Sequence, residues 1–207
     1  MPRMPRNAED IEAVKMKILE AAKVIIGQEG FNQFSMRRLA ASLGMTATNI
    51  YNYYASKDAI YLGVQTAGFA MLLEKFQHIA LNNHLPNQRL EGFVRAYIDF
   101  GFKHPDYYEV MLGSNTPKYA DYVGSDMEAV AADEKQTAME VARMVMTELM
   151  KAAVISEQEA LYRTTQAWVT LHGLVSLRNN RVLQELELDL DRTVERICQE
   201  LLLPLTP

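Results

Sequence analysis

Residues 36–55 read MRRLAASLGMTATNIYNYYA, and this order has the spacing of two short helices joined by a tight turn. Gly44 lies where the first helix has to end, and glycine enters the left-handed backbone conformation without a Cβ penalty. Ala40 is small where two helix backbones approach closely. Ser35 and Thr46 precede the two helices, and each hydroxyl can accept a hydrogen bond from a free backbone N–H. The pattern predicts a helix-turn-helix.

The second of these helices, predicted over residues 47–54, is polar on the side that does not support the turn. Threonine, asparagine and tyrosine side chains suit phosphates and base edges, and asparagine can form two hydrogen bonds with adenine. A lone asparagine or tyrosine on such a helix is usually a solvated surface residue, so the prediction of DNA binding depends on the combination of caps, turn and nearby cations. The candidate DNA contacts are Ser35, Arg37, Thr46, Ala47, Thr48, Asn49, Tyr51, Asn52, Tyr53 and Lys57.

The first sixty residues resemble the tetracycline-repressor (TetR) family of bacterial transcriptional regulators. The resemblance is carried by residues 18–22, 30–31, 34–37, 39–40, 43–45, 50–54, 57–58 and 60–61. The family usually has phenylalanine at the position of Tyr54 and leucine at that of Ile60, and both changes keep bulk and apolarity. A looser likeness, in residues 104–111 and in the run WVTLHGL at 168–174, points to the Trp-His-Gly subgroup of the family.

This resemblance implies an all-α protein with two domains. Residues 1–57 are expected to form a three-helix DNA-binding domain, with residues 1–8 as a flexible arm, and residues 58–207 a helical ligand-binding and dimerisation domain. The length of 207 residues fits one small module and one domain of ordinary size. The arm carries Arg3 and Arg6, which could reach a minor groove; an idle terminal tail is the alternative.

The formal charge of −5 is unevenly distributed along the chain. Residues 1–60 hold eight Lys and Arg against six Asp and Glu, whereas residues 61–207 hold thirteen against twenty. A mildly positive N-terminal part can approach phosphate while the acidic remainder is repelled by it. The asymmetry therefore favours one orientation of the protein on a duplex.

Several other classes of protein have little support in the sequence. No apolar run approaches the length of a membrane span, and no secretory signal is recognisable, so we expect a cytoplasmic protein. The resemblance implies that it is bacterial and associates with the nucleoid when it binds DNA. The four histidines and the single cysteine have no metal-ligand spacing, and neither a metal nor a cofactor is expected. Cys198 fits a small buried hydrophobe better than a redox group. An all-helical small-molecule-binding protein or a helical enzyme is the alternative function.

Helical periodicity continues through the rest of the chain, and about nine helices are predicted in all. A proline at position 105 suits the start of a short helix ending at 113, and an irregular linker is expected over 113–124. Asn87, Ser156 and Asp189 are the predicted helix caps. The predicted long helices span residues 9–29, 58–82, 125–151, 156–179 and 189–203.

An effector site is predicted from the aromatic and methionine side chains of the C-terminal part, which exceed what close packing of a small bundle needs. Any single one of them is more often plain core, so the prediction depends on the group, and a buried histidine bonded to a neighbour is the alternative for the ligand role of His172. The resemblance implies a pocket for an apolar or amphipathic small molecule. The candidate ligand-binding residues are Phe69, Leu72, Phe76, Phe93, Tyr97, Phe100, Tyr107, Tyr108, Met111, Met139, Trp168 and His172.

A homodimer is predicted because one recognition helix reads only a few base pairs, and two-fold-related copies match a palindromic operator. The last two helices carry more apolar residues than one subunit can cover, and Gly173 allows another helix to come close; internal packing of this surplus is the alternative. The candidate interface residues are Leu161, Leu171, Leu174, Val175, Arg178, Val194, Ile197 and Leu201. Repression relieved by the effector is the expected behaviour, with activation or ligand-independent binding as alternatives.

Overall fold

The structure is a computed structural model that describes residues 8–113 and 116–202. Within these ranges it has ten α-helices, two 3-10 turns (Phe31–Gln33 and Val182–Leu186) and no strand, so the predicted all-α fold is confirmed. The predicted arm, apart from Ala8, lies outside the described residues. The helices are α1 (Ala8–Glu29), α2 (Met36–Ser42), α3 (Ala47–Tyr51), α4 (Lys57–Asn82), α5 (Pro86–Lys103), α6 (Pro105–Leu112), α7 (Tyr119–Tyr122), α8 (Glu128–Ala152), α9 (Glu157–Asn179) and α10 (Leu190–Leu202).

The chain divides into two compact units. The first unit contains the described residues up to Gly68 together with Asp106–Gln136, and the second contains Phe69–Pro105 and the described residues from Thr137 onward. The helices α6 and α7 thus belong to the same unit as α1, α2 and α3. The domain boundary after residue 57 stays a prediction.

The N-terminal helices of the first unit share one apolar core. Ile18 of α1, Leu39 of α2 and Ile50 of α3 are completely buried, and Ala40 is nearly so. Along α1 the buried side chains of Ile18, Ala22 and Ile25 recur at the spacing that puts them on one face of the helix. Burial of this core supplies the main stabilisation of elements as short as α2 and α3, which are too short to form helices alone in water.

Helix α6 is bound to both α1 and α4 within the first unit. The Tyr107 hydroxyl donates a hydrogen bond to Glu20 of α1 at 2.7 Å, and Gln65 of α4 donates to the carbonyl of Val110 at 3.2 Å. Tyr61 of α4 donates to the carbonyl of Pro117 at 2.9 Å. Burial raises the pKa of both phenols, so they stay protonated donors at neutral pH.

The segment predicted as an irregular linker contains the four-residue helix α7, so that prediction was wrong in part. The backbone N–H of Lys118 donates to the carboxylate of Asp121 at 2.7 Å, which satisfies a free donor at the start of the helix. Tyr122 is buried and donates to Asp58 of α4 at 3.1 Å. A helix of one turn contains too few residues for helical periodicity to be visible in the sequence.

The second unit has an aromatic interior bounded by an ion pair. Phe76 of α4 and Phe93 of α5 stack with their ring centroids 4.4 Å apart and their planes nearly parallel. Arg89 of α5 bonds the buried carboxylate of Glu148 on α8 at 3.1 Å, and Lys151 bonds the same carboxylate. Two cations on one buried carboxylate compensate its loss of hydration.

Of the three caps predicted outside the helix-turn-helix, two are confirmed. The Ser156 hydroxyl accepts a hydrogen bond from the backbone N–H of Glu159 at 3.2 Å, and Asp189 accepts one from that of Arg192 at 3.0 Å. The prediction for Asn87 was wrong, because α5 already begins at Pro86. Proline is favoured at the first helical position, where its missing N–H costs no hydrogen bond.

Candidate nucleic-acid interface

The turn between α2 and α3 has the backbone conformation expected from the sequence. Gly44 has a φ of 63°, in the left-handed region, and the next N–H, that of Met45, donates to the carbonyl of Ala40 at 2.9 Å. A Cβ at Gly44 would meet no atom within 4 Å. The requirement for glycine is therefore one of backbone conformation and not of space.

Both predicted caps of the motif form. The Ser35 hydroxyl accepts from the backbone N–H of Arg38 at 3.3 Å, and the Thr46 hydroxyl accepts from that of Asn49 at 3.2 Å. Each hydroxyl keeps its own proton free to donate, so capping is compatible with a phosphate contact. The caps fix where α2 and α3 begin and hence which side chains they present.

Helix α3 is shorter than predicted: it ends at Tyr51 and not at residue 54. Asn52 and Tyr53 form a turn after it, and the N–H of Tyr54 still donates to the carbonyl of Ile50 at 3.1 Å. The chain turns there because the next helix, α4, already begins at Lys57. The Ser56 hydroxyl caps α4 by accepting a hydrogen bond from the backbone N–H of Ala59.

The candidate DNA contacts differ in their exposure. Ile50 turns inward, so the opposite side of α3 is left to solvent. The candidates that are half-buried are Ala47, Asn49, Tyr53 and Lys57. Those that are exposed are Ser35, Arg37, Thr46, Thr48, Tyr51 and Asn52.

The three cations near the motif, Arg37, Arg38 and Lys57, differ in their surroundings. Arg38 forms an ion pair with Glu29 of α1, which the sequence did not reveal. The Lys57 ammonium lies over the ring of Phe31, 4.1 Å from its centroid, and within the described residues it has no carboxylate partner. Arg37 forms no ion pair in the part of the chain that the structure describes. Arg37 and Lys57 therefore have the charge that a phosphate requires, whereas Arg38 is already neutralised.

The candidate ligand-binding residues are distributed over both units. Tyr107, Tyr108 and Met111 lie buried on α6 in the first unit, and the other nine lie in the second unit. Trp168 and Met139 are 49% and 42% exposed, and Phe69 and His172 are half-buried. The remaining five are buried: Leu72, Phe76, Phe93, Tyr97 and Phe100. The Trp168 indole N–H donates to the Tyr97 hydroxyl at 3.2 Å, which joins two of the candidates directly.

A surface cleft of about 340 Å³ lies between α4 and α8 in the second unit. None of its lining residues was a candidate, because polar residues on a helix are ordinarily interpreted as a solvated face. Its lining consists of Leu73, Gln77, Glu140, Arg143, Met144, Thr147 and Glu148.

The candidate dimer residues divide into an inner and an outer group. Leu171, Leu174 and Val175 are buried within the chain itself, whereas Leu161 is 49% exposed. Val194, Ile197 and Leu201 are half-buried on α10. Arg178 lies over the Phe102 ring, 4.5 Å from its centroid. Beyond its own stretch of helix, no atom of the described residues comes within 4 Å of a Cβ placed on Gly173, so the close helix approach expected there is not made within the described part of the subunit.

Among the described residues, no helix is long and apolar enough to cross a membrane, and no group of three or more His, Cys, Asp and Glu is arranged to hold a metal ion. Cys198 is 1% exposed, and burial raises the pKa of its thiol. A buried, protonated thiol is unreactive, which favours the structural interpretation of this residue.

Comparison with known families identifies both halves of the chain. Residues 18–64, which contain the motif, match the model of bacterial regulatory proteins of the tetR family. Residues 90–201 match the model of the tetracyclin repressor-like C-terminal domain, which alone covers more than half of the chain. The chain belongs to the TetR family. The predicted family is thus confirmed, whereas neither model names the Trp-His-Gly subgroup, which stays an expectation.

Related proteins place this TetR-family chain among transcriptional regulators. The HTH-type transcriptional regulator YobS of Bacillus subtilis is 23% identical over 77% of this chain and 76% of its own. The HTH-type transcriptional repressor NicS of Pseudomonas putida is 22% identical over 53% of this chain and 51% of its own. The crystal structure of the regulatory protein SCO4313 superposes with a TM-score of 0.77 at 17% identity, over 95% of this chain and 98% of that one. The chain is accordingly a DNA-binding transcriptional regulator and not an enzyme.

Proposed function

We propose that this regulator represses transcription in the bacterial cytoplasm by binding a palindromic operator as a homodimer, and that a small apolar or amphipathic effector releases it. The observation that carries the proposal is the exposed surface of α3 behind a glycine turn and two formed caps, with Arg37 and Lys57 beside it. Selection of bound fragments from random duplex DNA tests it directly. The expected result is a palindrome with half-sites about one helical turn apart, roughly 34 Å; enrichment of no sequence contradicts the proposal.

The exposed side chains of the motif divide into base-reading and positioning groups. Thr48 lies at the second position of α3 and points away from the core, where a recognition helix meets base edges. Arg37 and Lys57 flank the helix and suit phosphates, which fix the register without reading sequence. Tyr51 and Asn52, at the end of α3, are assigned to phosphate and base contacts respectively.

Lys57→Ala is expected to weaken binding to all DNA sequences alike and to lower the slope of log affinity against log salt by about one, as for one lost phosphate contact. Thr48→Ala is expected to change base preference at particular operator positions instead. Arg38→Ala serves as the matched control, because its charge is already paired with Glu29 and its loss should change the slope little. Titrations by fluorescence anisotropy at several salt concentrations check this; a base-specific effect of Lys57→Ala reverses the assignment.

A second copy of the chain is the partner that the outer face of α9 fits. Tyr162, Trp168 and Val169 point outward with about half or more of their surface exposed, and Leu161 lies on the same face. Gly173 continues this face one turn beyond Val169, and a Cβ placed there would meet no described residue outside its own stretch of helix within 4 Å. An apolar helix face with a glycine in it allows a second helix to approach closely. In such a dimer Leu171, Leu174 and Val175 remain buried inside their own subunit, so the interface forms without rearranging the core.

Control by an effector requires two states with different affinities for DNA. The effector weakens operator binding only by its preference for the state with lower DNA affinity, and a hundredfold effect needs about 2.7 kcal/mol of such preference. Helix α4 begins at Lys57 beside the motif and continues to Leu72 and Phe76 among the candidate ligand contacts. One continuous helix thus contains both a DNA-positioning residue and effector-contacting residues, which is why we assign the coupling to α4.

Phe93→Ala is expected to abolish the effector response while leaving operator affinity without effector unchanged. If an effector occupies space next to Phe93, the variant loses less stability than the roughly 3–5 kcal/mol typical of a phenylalanine truncated in a packed core. Phe34→Ala in the first unit is the matched control, because both phenylalanines are 2% exposed. Thermal unfolding and operator titration, each with and without an effector found by metabolite screening, give the result. Equal stability losses together with an unchanged response would show that Phe93 only fills the core.

A further inference from the structure

The cleft between α4 and α8 in the second unit is lined by residues other than the effector candidates. Its volume of about 340 Å³ is at the lower end of the range for small-ligand pockets. Its apolar lining comes from Leu73 of α4 and Met144 of α8, and its polar lining includes Glu140, Arg143 and Thr147 of α8. Apolar side chains with a few polar groups among them suit a small amphipathic molecule.

Two opposite charges on α8 line this cleft without pairing with each other. Glu140 and Arg143 are three residues apart, a spacing that makes them neighbours on one helix face. Neither forms an ion pair or a hydrogen bond with any residue that the structure describes. Three other helical pairs in the described chain have a glutamate three residues before a lysine, and all three form ion pairs: Glu12–Lys15, Glu20–Lys23 and Glu148–Lys151. Among these four pairs, the one in the cleft keeps its charges available to a ligand.

The third charge that lines the cleft is already compensated. The carboxylate of Glu148 is bonded by Arg89 at 3.1 Å and by Lys151 at 2.6 Å. Glu140 and Arg143 are then left as one negative and one positive group of the same helix face. An ion of a single sign would be attracted by one of them and repelled by the other, so its net attraction to the cleft is small. A molecule that carries both charges is attracted by both groups.

Thr147 adds a hydrogen-bond donor one helical turn after Arg143. Its hydroxyl has no hydrogen-bond partner among the described residues, whereas Thr165 and Thr170 of α9 each donate to the carbonyl four residues earlier, both at 2.9 Å. A planar guanidinium binds a carboxylate through two parallel hydrogen bonds, and a hydroxyl on the same helix face can donate to that carboxylate as well. The carboxylate of a ligand with two charges is therefore assigned to Arg143, and its ammonium to Glu140.

We infer that this cleft binds a small zwitterion, an α-amino acid with an apolar side chain. The carboxylate lies on Arg143 and Thr147, the ammonium on Glu140, and the side chain against Leu73 and Met144. The site goes beyond the proposed function, because none of the effector candidates lines it and binding there does not depend on DNA. A site with two charged groups of opposite sign discriminates against molecules that lack either matching charge, since one of its groups then stays unpaired.

Three molecules that differ by one charged group test the inference. L-Leucine carries both charges, 4-methylpentanoate has the same carbon chain without the ammonium, and 3-methylbutylamine lacks only the carboxylate. Calorimetry of the full chain without DNA measures the affinity for each. L-Leucine is expected to bind with a Kd at or below about 1 mM, and the other two at least about tenfold more weakly, because each has lost a charge-assisted hydrogen bond. Failure of L-leucine to bind, or equal binding of all three molecules, overturns the inference.

Two variants are expected to change these preferences in opposite ways. Glu140→Gln should remove the advantage of L-leucine over 4-methylpentanoate, since it neither holds the ammonium nor repels the carboxylate, and Arg143→Gln should remove the advantage over 3-methylbutylamine. Arg196→Gln is the matched control: Arg196 is exposed on α10, pairs with Glu200 and does not line the cleft, so no affinity should change. The melting temperature should stay the same in all three variants. An affinity for L-leucine that is unchanged in both Glu140→Gln and Arg143→Gln would place its binding elsewhere and overturn the inference.

Discussion

Gly44→Val is expected to lower operator affinity at least about thirtyfold while the helix content stays unchanged. Gly44 has a φ of 63°, and a β-branched residue held in the left-handed region costs on the order of 1–3 kcal/mol. A Cβ meets no atom there, so nothing opposes the turn as it relaxes toward an allowed conformation. That relaxation reorients α3 relative to α2, and a recognition helix tolerates little misplacement because base contacts depend on hydrogen-bond geometry. Fluorescence anisotropy measures the affinity, and far-UV circular dichroism measures the helix content.

Two controls make the result at Gly44 specific to the turn. Gly44→Asn should retain most of the affinity, since asparagine tolerates the left-handed conformation. Gly124→Val introduces the same strain at a φ of 80°, also with open space around the Cβ, but outside the motif. It is expected to reduce stability without a comparable loss of DNA binding. Affinity retained in Gly44→Val, or lost equally in Gly124→Val, would show that the turn at Gly44 does not orient the recognition helix.

The helix-turn-helix was predictable because its determinants are local. A cap acts on an N–H three residues away, as Ser35 and Thr46 do, and the conformation of Gly44 depends on its own missing side chain. The inward faces of α1, α2 and α3 follow from helical periodicity alone. The same locality explains the two confirmed caps at Ser156 and Asp189.

Interactions between distant parts of the chain were not predictable in this way. The pairing of Glu29 with Arg38 and the contact of Lys57 with Phe31 depend on how separate elements meet, and they decide which cation remains available for phosphate. The hydrogen bond of Tyr107 with Glu20 joins α6 to α1 across more than eighty residues. Periodicity shows that a side chain faces inward, but not which helix it meets. The hydroxyl of Thr164 on α9 is the clearest case, because only the packed structure shows that it is buried and has no hydrogen-bond partner among the described residues.

Val169→Asp is expected to dissociate the proposed homodimer and to lower operator affinity more than about a hundredfold, since linked half-site binding contributes a factor of 10²–10⁴. Val169 is 64% exposed on the outer face of α9, so an aspartate there is fully hydrated in a monomer and desolvated only in a dimer. The fold itself should persist with an unchanged melting temperature for the monomer. Sedimentation velocity at micromolar concentration measures the oligomeric state, and anisotropy measures the affinity.

The matched control is Val154→Asp, the same substitution at a valine that is fully exposed in the connection between α8 and α9. It should leave both the dimer and the operator affinity unchanged. Leu174→Asp distinguishes the inner from the outer group, because Leu174 is 5% exposed within its own subunit and its replacement should unfold the second unit instead of separating two intact chains. A Val169→Asp variant that stays dimeric with unchanged affinity would exclude the outer face of α9 as the interface. The half-buried apolar side chains of α10 would then be the remaining surface from which a dimer could be built.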